Sequence, residues 1–231
     1  MAAPRVFISS TCYDLKYIRE NLKYFVKSVG YEPVLSDEGD VFYNPKLHTH
    51  DSCLDEVSTC QIFVLVIGGR YGGKFKKTEK SITNQEYEAA LQAKIPIFAL
   101  VESAVHSDHH LFSENKRKNE KVAVENIIYP SSDNIQIFDF IDEVRKQVGN
   151  NAISPFKDFN DIESYLKKQW AGMMYYYITG ETESKRVGKL FESINEATDK
   201  IEFLTSQLVT NTGDEITKLN LEFYDFMVGN S

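Results

Sequence analysis

The chain has 231 residues, enough for one domain with an appendage, and a formal net charge of −8 from 26 Lys and Arg against 34 Asp and Glu. That acidity excludes a general phosphate-backbone binder, which carries a basic face, and so argues against a nucleic-acid partner. Cys12, Cys53 and Cys60 fit neither zinc spacing nor a disulfide framework; without a signal-peptide pattern or a membrane-length apolar run, the chain reads as soluble and cytoplasmic, with no membrane partner.

Residues 5–9 form a short apolar strand that ends in the hydroxyl-rich run Ser9-Ser-Thr-Cys-Tyr-Asp14. A helix follows with Leu15, Ile18, Leu22, Phe25, Val26 and Val29 on one face, closed by Gly30. Residues 31–35 give a second strand, and a polar loop through Pro45 leads to a second helix near 47–59. The uninterrupted apolar run 62–67 predicts a strand covered on both faces. It opens into a glycine-rich turn, Gly68-Gly-Arg-Tyr-Gly-Gly73, and then a third helix starting near Thr83. A fourth strand spans 95–101, with Pro96 at its start, where a missing N–H is tolerated.

Residues 103–126 read as a long polar excursion with room for a short helix. Its basic cluster, Lys116, Arg117, Lys118 and Lys121, reads as a solvated loop. His106, His109 and His110 beside Asp108 mimic a metal site, but no helical register unites them, and no metal is assigned. Residues 135–148 suggest a helix, 152–156 a strand, and 161–178 a helix carrying Trp170. The order predicts a flavodoxin-like, doubly wound, parallel five-stranded sheet over residues 1–180.

Residues 181–231 read as a helical extension. Val187, Leu190, Ile194, Ala197, Ile201, Leu204 and Leu208 recur at alternating spacings of three and four, a heptad seam suited to a homo-oligomer, although a helix packed on its own domain would show a similar pattern. A second helix is expected over 214–228.

In a parallel sheet of order 2-1-3-4-5, ligands bind where the order reverses, between the first and third strands. The loops leaving those strands are the hydroxyl run and the glycine-rich turn. The first offers Ser9, Ser10, Thr11 and Asp14 beside a helix N-terminus. The second offers Gly68, Gly69, the Arg70 guanidinium and the Tyr71 ring. The third helix adds Thr83 and Glu86 at the same end. Thr83-x-x-Glu86 is equally a capping box, in which both side chains satisfy backbone N–H groups. The glycine spacing is not that of a dinucleotide fingerprint, and there is no Walker lysine.

Four segments in order carry a resemblance. They are Val6-Phe-Ile-Ser-Ser-Thr-x-x-Asp14-Leu, Cys60-Gln-Ile-Phe-Val-Leu-Val-Ile-Gly-Gly-Arg-Tyr-Gly72, Ser81-Ile-Thr-x-x-Glu86-Tyr-x-x-Ala90 and Lys94-Ile-Pro-Ile. Together they resemble a TIR-like family of uncharacterised domains, whose wider fold group includes nucleoside 2-deoxyribosyltransferases. The resemblance implies a nucleophilic or stabilising glutamate at Glu86, acting on an N-glycosidic bond. The transferase segment has glycines where this chain has Ile82 and Glu88. In TIR enzymes the bond is the nicotinamide–ribose bond of NAD, so the resemblance implies NAD as substrate, with no bound cofactor, in bacterial antiviral defence or signalling. It implies further that Ser9, Ser10 and Thr11 hold ribose or phosphate oxygens, and that Arg70 or Tyr71 meets the pyrophosphate or a base. A non-catalytic assembly module and a hydrolase or transferase acting on another nucleoside or nucleotide are the alternatives.

Overall fold

The computed structural model describes residues 3–36, 39–46, 48–76, 78–118 and 123–212. The second helix expected over 214–228 lies outside them. Five strands form one sheet: β1 (Arg5–Ser10), β2 (Glu32–Val34), β3 (Ile62–Ile67), β4 (Ile97–Glu102) and β5 (Ile153–Phe156). Their order is β2-β1-β3-β4-β5 and every pairing is parallel, as expected. The helices are α1 (Lys16–Ser28), α2 (Thr49–Val57), α3 (Ile82–Gln92), α4 (Ser103–Lys118), α5 (Gln136–Arg145) and α6 (Phe159–Thr212), with a short 3-10 turn at Val124–Asn126.

The central strands β1, β3 and β4 are buried on both faces, which is why β3 above all reads as a continuous apolar run. On one face, Phe7, Phe63, Leu65, Ala99 and Val101 pack with Tyr87 and Ala90 of α3 and with Ile137, Phe140 and Ile141 of α5. The alternate residues Ile8, Val64, Val66 and Leu100 point the other way and are buried as fully. Each such side chain stabilises by roughly 1.5–3 kcal/mol, so β3, with all six residues buried, anchors the fold. Register places Ser9 beside Leu65 and Ser10 beside Val66, so β1 and β3 deliver their following loops to the same end.

Two expectations need correction. The polar excursion at 103–126 is helical to Lys118, and the basic cluster, as far as Lys118, is the last turn of α4, where Glu114 pairs with Arg117 and Lys118. The inward face of α4 is Val105, Asp108, His109 and Phe112, correctly spaced for a helix but half polar, which hid its periodicity. Likewise, the helix expected at 161–178 and the heptad segment are one element, α6. Gly172, Gly180 and Gly188 lie within it, each costing about 1 kcal/mol relative to Ala without ending the helix.

The chain divides into two compact units, Met1–Gln169 and Trp170–Ser231. Among the described residues, no helix is long and apolar enough to cross a membrane.

Candidate active site

Helix α3 sets the position of the candidate carboxylate. Its N-cap is Ser81, whose hydroxyl accepts from the Asn84 N–H. The capping-box alternative therefore fails: Asn84, not Glu86, occupies the third helical position, and Thr83 is already inside the helix. Glu86 sits one turn further in, 3% exposed, and takes a hydrogen bond of 2.6 Å from the Ser9 hydroxyl to Oε2. Ser9 itself is 1% exposed at the end of β1. Glu88, two residues on, points elsewhere, as the helical spacing predicts; it is held by Lys80 and by Gln85 Nε2 at 3.0 Å.

Above the Ser9–Glu86 pair lies a cavity of about 480 Å³ at the switch point between β1 and β3. Of the sequence candidates, Ser10, Thr11, Asp14, Arg70, Thr83 and Glu86 line it. Thr11 donates to Asp14 Oδ1 at 2.5 Å, and buried Arg19 donates to the Ser10 hydroxyl at 2.9 Å, so hydroxyls and carboxylate are held before any ligand arrives.

Gly68 and Gly69 act through what they lack. A Cβ on Gly68 would stand 2.7 Å from Asp14 Oδ2, and one on Gly69 would strike the Ser131 carbonyl oxygen. Both glycines let neighbouring loops close on the end of β3. Tyr71 turns away from the cavity. Its ring packs on the core, and its hydroxyl donates to the Glu79 carbonyl (3.1 Å) and accepts from the Ser81 N–H (3.2 Å). Burial raises its phenol above the usual value.

His106 and His109 of α4 both face the Arg145 guanidinium, a cation, rather than a shared point with Asp108. His109 contacts Asp142 through Nε2 at 2.9 Å, His106 contacts Arg145, and Asp108 accepts from the Ser131 N–H at 2.7 Å. Residues 5–171 match the family described as "Domain of unknown function (DUF4062)". The chain belongs to this family. No curated protein matches it. Among solved structures, a CMP N-glycosidase of Clostridium botulinum, BcmB, is similar over 71% of this chain and 98% of that one, at 15% identity and a TM-score of 0.38.

The DUF4062 domain carries three site features that sequence reasoning missed. Asp133, from the loop before α5, lines the cavity and accepts the Tyr71 N–H at 2.9 Å through Oδ1. Arg19 lies on the apolar face of α1, where sequence gives no reason to expect a cation, and braces Ser10. Cys53 of α2 lies within electrostatic reach of Glu86. Burial first, and then that carboxylate, push its thiol up to about 11, so it stays protonated and unreactive. The hydroxyl and carboxylate content of 9–14 and 81–86 and the glycine-rich turn carrying Arg70 were the usable sequence signals; Asp133 is supplied by tertiary closure alone.

Proposed function

We propose that this DUF4062 domain cleaves the N-glycosidic bond of a nucleoside or nucleotide, with Glu86 acting at the anomeric carbon. One observation carries the proposal: a carboxylate withdrawn from solvent, fixed by a buried serine hydroxyl, yet forming part of a cavity wall at the sheet's switch point. Burying a carboxylate is costly unless donors compensate it. A group doing no more than capping a helix would sit at the solvated first turn.

The chemistry follows from the bond. As C1′–N breaks, its electron pair leaves with the base and C1′ becomes oxocarbenium-like. A carboxylate stabilises that cation or forms an ester with it. Water then adds its oxygen to C1′, one of its protons ends on the departed base or in solvent, and Glu86 is regenerated as the carboxylate. Ser9 keeps Oε2 in place throughout. Thr11, Asp14 and Thr83 offer hydrogen-bonding groups for sugar hydroxyls.

Charge narrows the substrate class. Among the described residues the cavity is lined by three carboxylates, Asp14, Glu86 and Asp133, against one guanidinium, Arg70. That balance disfavours a pyrophosphate. It favours a nucleoside, or a monophosphate paired with Arg70. NAD, the substrate implied by the sequence resemblance, offers a cationic nicotinamide that fits this field and a pyrophosphate that opposes it, so nucleosides and monophosphates come first.

The test is incubation of concentrated protein with nucleosides, nucleoside monophosphates and NAD, with Glu86→Gln alongside. Free base should appear and should vanish in the variant. Base release undiminished in Glu86→Gln would remove Glu86 from the chemistry. Absence of any base release would leave the fold as a binding or assembly module.

A further inference from the structure

A feature not yet assigned is the stripe of apolar side chains on α6. Val187, Leu190, Ile194, Ile201 and Leu204 are 51–64% exposed, far more than apolar side chains of their size normally are in a finished helix face. Ala197 completes the repeat between them and is exposed too.

The width of the stripe identifies what would cover it. A helix that lies on a globular surface shows apolar residues at a, d and a flanking e or g position, a face more than 100° wide. Here, with Val187, Ile194 and Ile201 at a, and Leu190, Ala197 and Leu204 at d, the flanks are mostly polar. Ser193 and Lys200 stand at g, and Thr198 and Thr205 at e; only Phe191 widens the stripe, at its first e position. A strict a/d stripe of period 3.5 is the seam of a coiled coil.

Residue types specify the partner further. Three of the four a positions, Val187, Ile194 and Ile201, are β-branched, with Leu208 the fourth, and two of the three d positions are Leu, a combination that favours two parallel strands. In a parallel pair of identical helices, g faces the next e of the partner. Ser193 would then meet Thr198, and Lys200 would meet Thr205, so no like charges oppose each other.

We propose that α6 mediates parallel homodimerisation, the occupant of the 187–204 stripe being the same stripe of a second copy. The size of the seam sets its strength. Side chains of this kind bury on the order of 60–120 Å² each, so the seam hides roughly 1,000 Å² over both helices, in the range of transient rather than obligate interfaces. The dimer is therefore weak and concentration-dependent. It places two catalytic units in one assembly whenever local concentration rises.

Sedimentation equilibrium of the full chain over a concentration series tests this. A monomer–dimer equilibrium is expected, with a micromolar dissociation constant that rises at least about a hundredfold when Leu190, Ile194 and Ile201 are all replaced by Asp, because unpaired charges would be buried at the seam. These side chains are exposed in the single chain, so the far-UV spectrum and the melting of the α/β unit should not change. Register is read by oxidising Ile194→Cys, which should give covalent dimers, against Glu192→Cys on the outer face, which should not. A chain monomeric throughout the series overturns the proposal, and would be the result if residues 214–228 covered the stripe. So would a dimer indifferent to the three substitutions, a trimer, or equal crosslinking at 192 and 194.

Discussion

Gly69 and Ser131 meet so closely that a single methyl group would not fit between them: a Cβ on Gly69 would press on the Ser131 carbonyl oxygen at well under 3.0 Å. The contact belongs to a short ladder. Two residues further on, the Asp133 N–H donates to the Gly69 carbonyl at 2.9 Å, and its side chain then takes the Tyr71 N–H. One glycine thus positions a wall of the cavity from a loop more than sixty residues away in sequence.

Gly69→Ala should accordingly cost about 1–3 kcal/mol, as other forced insertions into packed sites do, and lower the melting temperature by roughly 2–10 °C. The obstacle is backbone, which cannot rotate away. Gly68→Ala meets a carboxylate oxygen of Asp14 and the Leu15 side chain, which can rotate, so it should cost less. Thermal melts of the two variants side by side check the order; equal losses would show that the Ser131 contact is not the constraint.

Glu86→Gln keeps an oxygen able to accept from Ser9 and keeps the side-chain volume. Its melting temperature should stay within a few degrees of the parent while base release falls by about a thousandfold or more, as for other residues that act on the reacting atoms. A large loss of stability would mean that Glu86 is first a structural residue.

Ser9→Ala removes the buried donor and leaves Glu86 Oε2 without it. The expected stability loss is about 1–3 kcal/mol, accompanied by slower turnover with little change in KM, because Ser9 lies beneath the cavity rather than in its lining. A raised KM at constant kcat would instead place Ser9 against the substrate, where the hydroxyl-run reading first put it.

The fold was legible where burial is uniform and illegible where it is mixed. Strands such as 62–67 carry no polar residue, so their position and parallel pairing follow from the run alone. Helix α4 was lost because Asp108 and His109 occupy half of its inward face, each satisfied by a partner that only the tertiary structure supplies. Ser81 and Thr83 are both competent caps two residues apart, so the helix start, and with it whether Glu86 stands at the capping position, could not be assigned without the backbone. Asp133 and Arg19 carry no local pattern at all.

The His109 arrangement predicts a pH dependence. Nε2 faces Asp142 at 2.9 Å and Nδ1 faces the cationic Arg145 guanidinium at 3.5 Å, an arrangement that suits the neutral ring with Nε2 donating and Nδ1 accepting. Burial, working against Asp142, holds its pKa below the ordinary 6.5. Between the lowered folded value and 6.5 the unfolded chain binds more protons, so stability rises with pH there and is lost as pH falls below 6.5. His50 and His106 are lowered too and add the same sign. Melting temperature should therefore decline as the pH falls below 6.5, already above the range in which ordinary carboxylates near 4.5 titrate, and His109→Gln should flatten the slope without abolishing it. An unchanged slope would assign the effect to the other histidines.

The connection from β3 to α3 is knitted to itself by main-chain bonds: Lys74 bridges Ser81, the Phe75 N–H reaches Lys80, and the Ile82 N–H reaches Gly73. The two segments of this closure, 73–75 and 80–82, have little conformational freedom left to lose. The amide protons of Phe75, Ser81 and Ile82 should exchange slowly with deuterium whether or not the cavity is filled. Under the proposed function, recognition here would use a fixed mould, its selectivity changed by exchanging side chains rather than by reshaping the loop.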